Sequence, residues 1–118
     1  GWSTARRNNA AYYNQRFAGS SLRAPKAANY AYHIYNQYTL RGDSRDILRD
    51  QLNQQGIGSE IYYPVPLHLQ KCFSPLGYRE GDFPVSEAAA RETLALPIFP
   101  ELVKEQIARV VEKIASIL

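Results

Sequence analysis

Two prolines set one residue apart, in Tyr62–Leu67 (YYPVPL), limit the fold of this chain more than any other feature. Proline fixes its own φ and offers no N–H to a sheet ladder. It also drives the residue before it toward extended geometry. Tyr63 and Val65 are each held in this way, so the segment can be neither a helix nor a central strand. The reading is a rigid extended arm, leaving a short strand and a glycine pair (Gly56, Gly58) and running into His68. Such an arm presents two phenol hydroxyls and an imidazole at fixed positions, as loops on rigid scaffolds do when they build ligand sites. Tyr62, Tyr63 and His68 are therefore the candidate binding residues. The same spacing also describes an ordinary strand exit with surface tyrosines.

Around the arm the pattern predicts a small α+β domain. Trp2–Phe17 has helical composition, with Ser3 and Thr4 as caps and Ala5, Tyr12, Tyr13 and Phe17 as contact residues. A small-residue loop containing Pro25 follows, and then the tyrosine-rich Ala31–Leu40, read as a strand. Ser44–Gln55 is a helix capped by Asp43 or Ser44, with Ile47, Leu48 and Leu52 on one face and Gly56 as its left-handed stop. Ser59–Tyr63 is the second strand, which makes a split βαβ-type unit. A helical turn over His68–Phe73 and a turn-rich loop over Ser74–Phe83 come next.

Asp82 and Pro84 stand where a cap and an early helix proline belong, opening Val85–Glu92. Thr93–Leu96 is a buried strand ended by Pro97. Pro100 and Glu101 open the last helix, Leu102–Leu118, on which Val103, Ile107, Val110, Val111, Ile114 and Ile117 keep three-to-four spacing. A small, largely antiparallel sheet covered by helices accommodates this order.

The chain of 118 residues buries roughly 65% of its unfolded surface if it folds as one domain. Its single cysteine, Cys72, excludes an internal disulfide and reads as a half-buried structural thiol. No apolar stretch approaches the roughly 20 residues of a membrane span, so the expectation is a cytoplasmic protein. The net charge of +3 is unevenly spread: Arg6, Arg7, Arg16, Arg23 and Lys26 fall in residues 1–26 without one acid. Such a segment can serve nucleic acid, an anionic membrane or an acidic protein surface. Tyr30, Tyr32, Tyr35 and Tyr38 come without interleaved lysine or arginine, which argues against a single-strand binding face.

Several chemistries lack their residues. The glycines of GIGSE lead into a strand, where phosphate-binding glycines lead into a helix. No Ser/His/Asp spacing marks a nucleophile. His33, His68 and Cys72 are too few for a structural zinc site. His33 is read as a packed sheet residue. The lysines, Lys26, Lys71, Lys104 and Lys113, all sit in loop, turn or polar helix contexts, unlike a desolvated Schiff-base amine.

Taken in order, the motifs converge. Arg6-Arg7-Asn8-Asn9-Ala10, Tyr12-Tyr13-Asn14, His33–Tyr38, Arg45-Asp46, Gly56-Ile57-Gly58, Tyr62–His68, Gly81–Pro84, Glu87, Leu94–Pro97 and Pro100–Leu102 run unbroken along the chain. This series resembles the C-terminal part of the DegT/DnrJ/EryC1/StrS sugar aminotransferases. The resemblance implies a parent enzyme of the aspartate aminotransferase (type I) fold. It uses pyridoxal 5'-phosphate to move an amino group, usually from glutamate, onto a nucleotide-linked keto-sugar.

It implies that residues 1–118 are the small C-terminal domain, 1–28 being the exit helix and loop from a missing large domain and 29–118 the α+β core. That large domain carries the Schiff-base lysine and cofactor site, so the fragment alone is expected to be inactive. The parent is expected to be a homodimer. Where relatives read His-Tyr-Pro and contact the nucleotide-sugar, this chain reads Tyr62-Tyr63-Pro64, and a phenol cannot become cationic near neutral pH. Tyr62, Tyr63 and His68 are carried over as substrate contacts only. The YYPVPLHLQ form of the motif points, on resemblance alone, to a glucuronate-type sugar. Arg6 and Arg7 would pack against the large domain. The rival reading is a stand-alone binding or regulatory module that kept the fold without the chemistry.

Overall fold

A computed structural model describes all of the chain, Gly1–Leu118. Four helices, α1 (Trp2–Phe17), α2 (Arg45–Gln54), α3 (Pro84–Glu92) and α4 (Lys104–Ile117), surround a two-stranded antiparallel sheet. The strands are β1 (Tyr38–Arg41) and β2 (Thr93–Leu96), with Tyr38 opposite Leu96 and Arg41 opposite Thr93. Single bridges extend the sheet on both sides, Arg23 to Arg41 and Glu60 to Ala95. The architecture is α+β, as expected, and no helix is long and apolar enough to cross a membrane.

Alternation along β1 sorts its side chains. Tyr38 and Leu40 are buried, while Thr39 and Arg41 are only partly covered. The buried face meets α1, α2 and α4 in one core containing Tyr13, Leu48, Leu52, Leu94, Ile107 and Ile114. Tyr13 stacks on Tyr38 with ring centroids 4.8 Å apart. Both hydroxyls are satisfied: Tyr13 donates to the Pro97 carbonyl at 3.1 Å and Tyr38 to Asn14 Oδ1 at 2.7 Å. Burial pushes both phenols well above their ordinary pKa. Gly56, at φ +71°, ends α2 in the left-handed conformation that its sequence position predicts.

The structure shortens or moves several predicted elements. The strand expected over Ala31–Leu40 begins only at Tyr38. Upstream, Tyr35 turns left-handed at φ +49°, and its N–H goes to His33 Nδ1 at 3.0 Å rather than to a ladder. His33 is thus a loop residue, not a sheet residue. The strand expected over Ser59–Tyr63 is reduced to the Glu60–Ala95 bridge, because Pro64 has no donor to continue it. The split βαβ unit is therefore absent.

Helix faces and caps shift in the same way. In α1 the buried residues are Ala10, Tyr13 and Phe17, with Ala5 and Tyr12 only partly covered and Gly1 in place of the predicted caps. In α2 Leu48 and Leu52 are buried, but Ile47 is 57% exposed, and Ser44 holds the cap position without a side-chain bond. The last helix starts at Lys104, leaving Pro100 and Glu101 in a turn and Val103 exposed. His68–Phe73 is split between two 3-10 turns, Leu67–Leu69 and Lys71–Leu76. Cys72 is exposed, not half-buried.

Two charged clusters tie the sheet to its surroundings. The Glu92 carboxylate takes Arg23 Nη2 and Arg41 Nη2, each at 2.7 Å. The bond from Arg41 leads in holding that carboxyl below its ordinary range, against the cost of burial. Arg45 is buried, donating to the carbonyls of Ala90 at 2.9 Å and Thr93 at 3.1 Å. It thereby locks α2 to the α3–β2 junction.

Candidate functional site

The prolines keep this segment out of helix and ladder, but it is not the extended arm expected: the backbone bends at Tyr62, Pro64 and Val65. Tyr62 and Tyr63 leave the sheet edge on this arm and are 51% and 71% exposed. Together with Val65, Leu69 and Lys71 they border a cleft of about 440 Å3 that no carboxylate lines. On its other side Tyr63 joins Thr39, Leu67, Ala89 and Thr93 around a second cavity of about 410 Å3. The arm thus offers two phenol donors, and a lysine stands close by. That set suits hydroxyl and phosphate oxygens.

His68 is placed differently. Its side chain is only 7% exposed and does not border either cavity. Nε2 lies 2.9 Å from Glu87 Oε1, and because a carboxylate only accepts, the imidazole is the donor. The structure therefore brings Tyr62 and Tyr63 together at the surface and sets His68 behind them, on the anchor of the arm.

Glu87 is that anchor, and its role was not read from the sequence. Its carboxylate receives the Gly81 N–H at 2.9 and 3.0 Å and the Phe83 N–H at 3.3 Å, besides His68. Asp82 does not cap the helix: Phe83 holds the cap position without a side-chain bond, and Asp82 accepts the Arg79 N–H at 2.8 Å. Gly81 can deliver its N–H because it sits at φ +95°, open to glycine and strained for other residues. Burial pushes the Glu87 carboxyl up, but the N–H of Gly81, the His68 ring and the N–H of Phe83 outweigh it and hold the pKa below 4.5. The Phe83 ring packs on His68 at 4.9 Å and meets Tyr78 edge-on at 5.0 Å. No capping-box spacing announced it, since Glu87 stands four residues past the N-cap Phe83, where the box places its acid three past.

None of the lysines makes a cofactor site. Lys26, Lys71 and Lys104 are exposed and Lys113 is half-buried on the outer side of α4. Lys71 borders the tyrosine cleft, where no acid stands to face a pyridinium nitrogen. The residues present do not fit pyridoxal phosphate.

The domain matches two solved structures over 98% of its length. With DesV of S. venezuelae, solved with a ketimine intermediate, the TM-score is 0.92 at 34% identity. With a DegT DnrJ EryC1 StrS aminotransferase from Brucella abortus it is 0.87 at 31%. In each case the chain covers 31% of the other protein. The model of the DegT/DnrJ/EryC1/StrS aminotransferase family matches residues 1–115, and the chain belongs to that family.

Among curated relatives, a protein of Geobacillus stearothermophilus named pleiotropic regulatory protein is 48% identical over 118 residues. A UDP-N-acetyl-3-dehydro-alpha-D-glucosamine 3-aminotransferase of Acidithiobacillus ferrooxidans is 38% identical over 109. They match 98% and 92% of this chain, which spans only 32% and 29% of their lengths.

Proposed function

We propose that these residues form the C-terminal substrate domain of a pyridoxal-phosphate-dependent nucleotide-sugar aminotransferase. The observation that carries the reading is the Tyr62–Tyr63 pair, fixed on a proline arm beside Lys71 in a chain of this family. Tyr62 and Tyr63 bind the sugar or its phosphates through their hydroxyls. His68 contributes by way of Glu87, holding the arm in place. The cofactor supplies the electron sink for amino transfer, and its lysine, phosphate cradle and acid belong to a large domain outside the 118 residues. Relatives about three times as long leave room for one. The full-length protein would act as a homodimer in the cytoplasm. The relatives act on differently named sugars, so the reading stops at the nucleotide-sugar class.

Two measurements test it. Titration of the 15N-labelled chain with UDP-N-acetylglucosamine should shift Tyr62, Tyr63 and Lys71 saturably, and silence at all three overturns the site. Mixing the chain with pyridoxal phosphate should give no new one-to-one visible absorption band. Such a band would show that the 118 residues hold the cofactor themselves.

The name of the Geobacillus relative favours one rival, a regulatory module without chemistry. Retention on a DNA column that falls steeply with salt would support it.

A further inference from the structure

Three features play no part in the tyrosine arm: the acid-free basic segment 1–26, the left-handed Tyr35 and His33. The fold gathers them. Arg7 Nη1 donates to the His33 carbonyl at 2.9 Å, and its guanidinium stacks 4.3 Å above the Tyr32 ring. Tyr32 and His33, with Pro25, Asn36, Gln37 and Thr39, line an open cleft of about 630 Å3 that contains no acidic residue.

Charge along the first 26 residues is unbalanced. Arg23 is paired with Glu92, whereas Arg6, Arg7, Arg16 and Lys26 meet no carboxylate. The loop is also set in advance. Because His33 Nδ1 accepts the Tyr35 N–H, the ring proton sits on Nε2, which makes no bond within the chain. Tyr35 keeps a backbone conformation unfavourable to a tyrosine, of the kind that concentrates at ligand sites.

We propose that this cleft binds a phosphate group carried by a small ligand. The donors are the His33 Nε2–H and the side-chain amides of Asn36 and Gln37, in the field of Arg7, which touches Tyr32 and His33, and of Lys26, which follows the cleft-lining Pro25. Thr39 lines both this cleft and the cavity beside Tyr63, so the two adjoin on one face of the sheet. A ligand whose sugar meets the tyrosines would lay its phosphates here. That last identification rests on the reading under Proposed function, whereas phosphate binding itself does not.

The test is titration of the 15N-labelled 118-residue chain with inorganic pyrophosphate, uridine diphosphate and uridine. Pyrophosphate and uridine diphosphate should shift His33, Asn36 and Gln37 saturably, and uridine should not. Arg7→Gln should weaken binding about tenfold, because it removes a nearby charge together with the clamp on the His33 carbonyl. Because Arg7 also braces the loop, Lys26→Gln is the control: Lys26 is exposed, and its loss should weaken binding about threefold, by its charge alone.

The proposal fails if no shift saturates, if uridine acts as well as its diphosphate, or if Lys26→Gln and Arg7→Gln both bind like the parent chain. Pyrophosphate shifts here, with Tyr62 and Tyr63 silent toward the nucleotide-sugar, would leave the cleft standing and remove only the substrate reading.

Discussion

The helical core and the segment from Gly58 to Ser86 are built by opposite means. The core joins α1, α2 and α4 to the sheet through fully buried side chains such as Tyr13, Leu52 and Ile114. From Gly58 to Ser86 no residue is buried, and large side chains including Tyr63, Leu67 and Tyr78 lie open. That segment is held by the Glu60–Ala95 bridge, by Ile61 against the core, by Phe83 against His68 and Tyr78, and by one acceptor, Glu87, drawing in two backbone amides and an imidazole. Apolar packing supplies stability, while a polar anchor supplies position. A region held by a few such contacts can present side chains to a ligand without first unpacking a core.

The contrast can be broken at several points. Leu52→Ala, in the core, should cost about 2–5 kcal/mol in urea unfolding, as leucine truncations in close-packed interiors do. A cost within the range of surface substitutions would mean that the two regions are not so different. Glu87→Gln should barely move the urea midpoint in comparison, yet it should speed amide exchange at Gly81 and Phe83, the two donors it anchors. Equal exchange in both proteins would remove the anchor.

Acid sharpens the same point. The folded-state pKa values of Glu87 and Glu92 are depressed, so the unfolded chain takes up their protons first. Their contribution is present above the unfolded value of 4.5 and is lost as pH falls through the lower folded values. An acid titration should show the loss below pH 4.5, and Glu92→Gln should flatten it. Smallest of all, Tyr63→Phe should leave stability within about 0.5 kcal/mol.

The sequence revealed the features decided by neighbouring residues. The seam of α4, the left-handed stop at Gly56, the strand end before Pro97 and the exclusion of Tyr62–Leu67 from helix and ladder all follow from steric rules spanning a few positions. What it hid depends on distant partners. Tyr35 leaves the strand where Arg7 clamps the His33 carbonyl across 26 positions. His68 turns inward because Glu87, 19 residues on, supplies its acceptor. For the site, the exposed tyrosines were legible from Pro64 and Pro66. The group that holds their arm in place was not.

The unburied stretch between Gly58 and Ser86 also has a practical consequence. It splits the core between two lengths of polypeptide: α1, β1 and α2 before it, β2 and α4 after it. Each half supplies one strand of the antiparallel pair, and the first helix rests on the last. A single protease nick among the open 3-10 turns would therefore sever the chain without severing the domain. The two pieces should travel together until denaturant parts them.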